Sequence, residues 1–109
     1  MGEFIVVKTK ETVVPLILPC IAKYPVVRVV LFGSFARGTN SESSDLDLMF
    51  ELDVNENYPS LSYIYELLDE IEGLIKIKVD YVTNEGLRSS PCGKLTETIK
   101  NEGVLIYEI

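Results

Sequence analysis

Val26-Val27-Arg28-Val29-Val30-Leu31-Phe32-Gly33-Ser34, followed after ten intervening residues by Asp45-Leu46-Asp47-Leu48-Met49-Phe50-Glu51-Leu52, carries the strongest structural signal in the chain. The first run is β-branched and nearly all apolar, the pattern of a buried central strand. The second alternates strictly. Leu46, Leu48, Phe50 and Leu52 point one way, and Asp45, Asp47, Met49 and Glu51 the other. The sheet these runs imply buries one face and leaves the other polar.

Upstream, Val13, Ile17, Cys20, Ile21 and Tyr24 recur at helical spacing from Thr9 onward. Pro15 and Pro19 interrupt that pattern, so the helix is expected to start late or to kink, and Pro25 closes it. Residues 4–7 suggest a short extended segment. Downstream, Pro59 suits a first helical position, and Leu61, Ile64, Tyr65, Leu68 and Ile71 make an apolar stripe ending at Gly73. Residues 76–82 alternate again, with Ile77, Val79 and Tyr81 opposite Lys76, Lys78 and Asp80. A last helix is expected from about Pro91 to Asn101, capped by Ser90 and stopped by Gly103, with a strand over Val104 to Tyr107. The expected fold is α/β (α+β): a small mixed sheet with helices packed on one face, in a single domain spanning residues 1–109.

A chain of 109 residues with 47% hydrophobic and 25% charged side chains has the balance of one globular domain. No apolar run approaches the roughly 20 residues that span a bilayer, and the N-terminus lacks the pattern of a secretory signal. A cytoplasmic protein without membrane contact is the expectation. Histidine is absent, which removes His-containing zinc sites and His-activated nucleophiles. Cys20 and Cys92 stand far apart; a single disulfide stays open, with two half-buried free thiols the plainer reading. The formal net charge is −7, and no basic residue falls between Arg37 and Lys76, where Glu42, Asp45, Asp47, Glu51 and Asp53 begin a long acidic stretch. A duplex binder needs clustered cations, so direct nucleic-acid contact is not expected. A basic partner surface suits this charge better.

Residues i and i+2 on a strand share a side, so Asp45 and Asp47 stand together. If the strand of Asp80 lies beside them, three carboxylates converge on an open face. Their repulsion calls for cations, and magnesium takes carboxylate oxygens while completing its shell with phosphates and water. At the end of the preceding strand, Gly33 allows a close backbone approach and Ser34 can open a short helix whose free amides attract phosphate. Arg37 adds a nearby cation. A phosphate cradle thus precedes a metal-binding strand by a short loop, as a nucleoside triphosphate site requires.

This ordered set resembles the polymerase-beta-type nucleotidyltransferase superfamily. Leu31-Phe32-Gly33-Ser34-Phe35-Ala36-Arg37-Gly38, with Ser44-Asp45-Leu46-Asp47-Leu48, is similar to its minimal nucleotidyltransferase (MNT) branch. Lys78-Val79-Asp80-Tyr81-Val82 and the ending Asn101-Glu102-Gly103-Val104-Leu105-Ile106-Tyr107 also fit, so the resemblance covers residues 9–108. It implies a polymerase-beta-like palm core in which Asp45, Asp47 and Asp80 are catalytic. Asp45 and Asp47 would ligate two magnesium ions, and Asp80 the ion nearer the attacking hydroxyl. Gly33 and Ser34 would hold the β- and γ-phosphates, with Arg37 and Ser44 in the nucleotide-binding set. The implied reaction is hydroxyl attack on the α-phosphorus of ATP, expelling pyrophosphate. The implied role is that of an antitoxin transferring AMP to a tyrosine of its HEPN-domain toxin. Two alternatives stand beside it: a non-catalytic binding antitoxin, and a nucleotidyl-transfer subunit acting on a small molecule such as an aminoglycoside. Nothing beyond the palm-like core resembles an acceptor domain, so the acceptor is expected from another chain, in a homo- or hetero-oligomer.

Among the remaining side chains, the tyrosines read mostly as packing: Tyr65 and Tyr81 fall on apolar faces as core, and Tyr58 and Tyr63 are candidates for partner anchors beside a packing role. Lys76 and Lys78 balance the charge of the Asp80 face or reach a triphosphate. Arg37 has two readings as well, a phosphate contact or an ion pair that orders its loop.

Overall fold

The alternation of Leu46, Leu48, Phe50 and Leu52 becomes the buried face of a strand at the middle of the sheet. The structure, a computed structural model, describes residues 8–53, 62–89 and 93–109. Its elements in chain order are α1 (Lys10–Ile21), β1 (Val26–Phe32), α2 (Gly33–Arg37), β2 (Leu46–Leu52), α3 (Tyr63–Ile75), β3 (Val79–Thr83), α4 (Asn84–Ser89), α5 (Gly93–Glu102) and β4 (Val104–Glu108). The sheet runs β3-β2-β1-β4, with β2 and β3 parallel and the other pairs antiparallel. This is the small mixed sheet expected. Over its buried face α1 contributes Val13, Ile17 and Ile21, and α3 contributes Ile64, Leu67, Leu68, Ile71 and Ile75 to one core with the strand residues. Burying such side chains contributes roughly 1.5–3 kcal/mol each.

Several expectations are corrected. β1 is central but fully covered on one face only: Val26, Val29 and Leu31 are buried there, while on the other face Arg28 is exposed, Val30 half-buried and Phe32 buried. α1 does not start late; it runs from Lys10 to Ile21 with both prolines inside it. Pro15 and Pro19 sit four residues apart on its exposed side, so they forfeit only two intrahelical hydrogen bonds, and the buried Val13, Ile17 and Ile21 hold the helix down. Of the two tyrosines of α3, Tyr65 differs in burial from the expectation. Tyr63, four residues before Leu67, lies on the buried stripe and its hydroxyl bonds the carbonyls of Pro25 and Asp53 at 3.1 and 3.0 Å. Tyr65 points to the other side and is 64% exposed. Tyr81 packs against the core as expected.

α3 passes the exposed Gly73 and ends at Lys76, which adopts a left-handed conformation (φ 59°) and donates its N–H to the Glu72 carbonyl at 2.9 Å. That turn breaks the extended pattern, so β3 begins at Val79 rather than at residue 76. α4 is not foreseen from the sequence, because six residues are too few to show a period. It forms where Gly86 donates its N–H to the Thr83 hydroxyl at 2.9 Å and Asn84 Oδ1 accepts from the Leu52 N–H. α5 stops, as expected, at Gly103. The extended segment over residues 4–7, Tyr58, Pro59, Leu61, Ser90, Pro91 and Cys92 fall outside the described residues, and Cys20 is a free thiol. Among the described residues no helix is long and apolar enough to cross a membrane.

Candidate active site

β1 and β2 meet so that Phe32 pairs with Asp47, and β2 and β3 meet so that Asp47 pairs with Asp80. Two carboxylates on neighbouring strands thus stand at one level of the uncovered face. Asp45 directly precedes β2, two residues from Asp47 and on its side of the chain. The fold brings these three residues together. Asp47 is half-buried, and that burial pushes its carboxyl above the ordinary value of 3.8. The Asp80 and then the Asp45 charges push it further, against the Arg37 guanidinium, which pulls it down. Like charges held this close are what a bound cation would relieve.

Gly33 stands against that carboxylate. It has φ +74°, and a Cβ built on it would lie 2.0 Å from Asp47 Oδ2. Only glycine supplies this conformation without strain and this space without collision. The α2 turn that follows is anchored from below by the buried Phe35 and Ala36. It closes at Gly38 (φ +77°), where the Thr39 N–H reaches the Ser34 carbonyl at 3.0 Å. Lys10, a residue the sequence did not single out, donates from Nζ to the Ala36 carbonyl at 2.8 Å and ties α1 to this turn.

Arg37 makes an ion pair. Its Nη1 donates to Glu102 Oε2 at 3.0 Å, both side chains being half-exposed, and so links α2 to the last residue of α5. Ser44 accepts the Ser41 N–H on its hydroxyl at 2.8 Å, which fixes the loop entering β2. Lys78 lies 4.0 Å from Asp80 Oδ1, as charge balance would have it. Lys76 precedes the strand and lines a cleft of about 100 Å3 with Lys8, Ser41 and Ser44.

Among the described residues no three acidic or thiol side chains close into a metal cage. Magnesium does not need one. It binds through one or two carboxylates and takes its other oxygens from phosphates and water, so the all-oxygen donor set of Asp45, Asp47 and Asp80 fits that ion.

Residues 17–106 match the family of nucleotidyltransferase domains. A protein of Methanocaldococcus jannaschii, provisionally named a protein adenylyltransferase, is 45% identical over 67 residues, which make up 62% of this chain and 66% of that one. The protein adenylyltransferase MntA of Thermococcus cleftensis is 31% identical over 84 residues, 77% of this chain and 78% of that one. A solved structure provisionally described as a minimal nucleotidyltransferase aligns with a TM-score of 0.70 and 33% identity, covering 89% of this chain and 95% of that one. A chain from the complex of a tri-AMPylated HEPN toxin with its MNT antitoxin, from Shewanella oneidensis, aligns with a TM-score of 0.60 over 93% of this chain and 74% of that one. At 16% identity that last likeness is one of fold.

Proposed function

This chain belongs to the family of nucleotidyltransferase domains, and from that premise we propose that it transfers AMP from ATP to a tyrosine hydroxyl of a HEPN-domain toxin, acting as the antitoxin in the cytoplasm. The observation that carries the reading is the register of β1, β2 and β3, which brings Asp45, Asp47, Asp80 and the Gly33 turn to one end of the uncovered face. The names of the MntA relative and of the Shewanella complex support the acceptor class.

Asp45, Asp47 and Asp80 would hold magnesium, two ions in the full assembly, and the metal would supply Lewis-acid activation of the hydroxyl and charge compensation at the departing phosphates. Gly33 and Ser34 present backbone and hydroxyl groups to the β- and γ-phosphates. Ser44 joins them by fixing the loop, and Arg37 lends positive charge to the phosphates while Glu102 holds it in place. In the reaction the acceptor oxygen bonds the α-phosphorus, the bond to the β-phosphate oxygen breaks, and pyrophosphate departs. Asp80, with its side chain 55% exposed, receives the hydroxyl proton on the side from which an acceptor arrives.

The test is incubation of the chain with its cognate HEPN protein, magnesium and labelled ATP. The HEPN protein should gain AMP mass on a tyrosine. Asp80→Asn should lower the transfer rate by roughly a hundredfold or more while leaving the affinity of the complex unchanged. A toxin neutralised equally well by the Asp80→Asn chain, with no mass added, would establish a binding-only antitoxin instead. Rapid modification of an aminoglycoside by the isolated chain would establish a small-molecule transferase.

A further inference from the structure

α2 is a single turn, and five residues are too few to hold a helix by their own hydrogen bonds. Its last carbonyls find their partners one after another. The Ser34 carbonyl accepts the Thr39 N–H at 3.0 Å, and the Phe35 carbonyl accepts the Gly38 N–H at 3.3 Å. At Gly38 the backbone turns left-handed and leaves the helix. The next carbonyl, that of Ala36, is met instead by a side chain from α1: Lys10 Nζ donates to it at 2.8 Å. Ala36 is itself buried, so an unmet carbonyl there would carry the desolvation cost of a lost partner.

Lys10 is held where this contact needs it. It opens α1 three residues before Val13, which is fully buried, and its own side chain is half-buried. Just upstream, the Lys8 carbonyl accepts Asn40 Nδ2 at 2.6 Å, and Lys8 Nζ donates to the Ile75 carbonyl at the end of α3. Residues 8–10 are thus tied to the α2 turn, to the loop that follows it and to α3. Among the described residues no carboxylate forms an ion pair with Lys10, so the Ala36 carbonyl is the partner that fixes its ammonium.

The contact reaches further than the turn it closes. The Ala36 carbonyl and the Arg37 N–H belong to one planar peptide unit, so fixing that oxygen fixes the plane from which the Arg37 side chain departs. In the helical pattern the same N–H returns to the carbonyl four residues back, that of Gly33, the residue packed against the Asp47 carboxylate. The far end of Arg37 is held by Glu102 at 3.0 Å, but both side chains are half-exposed, and such pairs contribute little. The backbone end therefore decides the direction of the guanidinium, whose charge is felt at Asp47. We infer that Lys10 is a positioning residue of the nucleotide site, which through the Ala36–Arg37 peptide aims Arg37 at the triphosphate and sets the affinity for it. The inference rests on the nucleotide-binding reading above.

The test is calorimetric titration of ATP with magnesium into the full chain and into Lys10→Met, Lys10→Arg, Arg37→Met and the double variant of Lys10→Met with Arg37→Met. Lys10→Met keeps the stem and removes the donor, and it should weaken binding by about tenfold, the scale of one hydrogen bond to a charged group. Lys10→Arg, which restores a charged donor, should recover most of that loss. Lys10→Met should add nothing to Arg37→Met, because the one residue acts through the other. Without nucleotide, the Arg37 amide NMR signal should move in Lys10→Met and return in Lys10→Arg. If Lys10→Met fails to fold, Lys10→Gln should weaken binding in the same direction. Unchanged affinity in the Lys10 variants, losses that add in full in the double variant, or an Arg37 amide signal that stays in place would each overturn the role of Lys10 and leave the transferase reading standing. A parent chain that binds no ATP in magnesium would remove the transferase reading, and the role of Lys10 with it.

Discussion

Gly33→Ala sets a geometric claim against a control inside the same turn. Residue 33 has φ +74° and residue 38 φ +77°, so alanine at either must adopt a left-handed conformation that costs roughly 1–2 kcal/mol. Their surroundings differ. A Cβ at residue 38 would meet nothing within 4 Å, whereas one at residue 33 would lie 2.0 Å from Asp47 Oδ2. Ordinary contact begins at 3.4 Å, so the Asp47 carboxylate must retreat by about 1.4 Å. Misplacement of a reacting group by about 1 Å can cost a hundredfold in rate. Both variants should therefore melt about 5–12 °C below the parent in a calorimetric scan. Only Gly33→Ala should lose magnesium-dependent ATP affinity and about a hundredfold or more in AMP transfer, while Gly38→Ala stays within a few-fold of the parent. Equal activity losses in the two variants, or a Gly33→Ala chain that transfers AMP at the parental rate, would refute the claim that Gly33 exists to admit the Asp47 carboxylate.

Two further perturbations bear on the same framework. Asp47→Asn should raise thermal stability in metal-free buffer at neutral pH, because the folded protein holds the Asp47 carboxyl above its ordinary 3.8. A raised carboxyl destabilises the fold above its folded-state value and ceases to do so below 3.8, so the advantage of the variant should shrink as pH falls through that window and vanish at its lower end. A pH-independent difference in melting temperature would show that repulsion at Asp47 is not its source. Tyr63→Phe removes the hydroxyl shared by the Pro25 and Asp53 carbonyls and should cost roughly 1–2 kcal/mol in urea unfolding, with no change in nucleotide affinity.

Much of the framework can be read locally. The alternation of Leu46 to Leu52, the apolar run of β1 and the spacing of Gly33, Ser34, Asp45 and Asp47 carry strand, turn and polar face in the chain itself, because strand and turn geometry depend on residues that are near in sequence. Expectation and structure part where a distant partner decides. Tyr63 and Tyr65 are chemically identical and both border the helical stripe. Tyr63, four residues before Leu67, turns inward, where its hydroxyl meets the Pro25 and Asp53 carbonyls that folding brings near. The prolines of α1 read as breakers, and the contacts of Val13, Ile17 and Ile21 with the core hold that helix together regardless.

The order of residues alone establishes three aspartates and a glycine–serine turn at the right chain spacing, and a sheet with one polar face. Which atoms face each other is settled by strand register. The parallel pairing of β2 with β3 sets Asp80 beside Asp47, the antiparallel pairing of β1 with β2 sets the Gly33 turn against it, and the return of β4 along β1 places Leu105 beside Val30. A slip of one residue in any of these ladders would turn those side chains to the opposite face, and no local pattern in the chain records where a strand finds its neighbour.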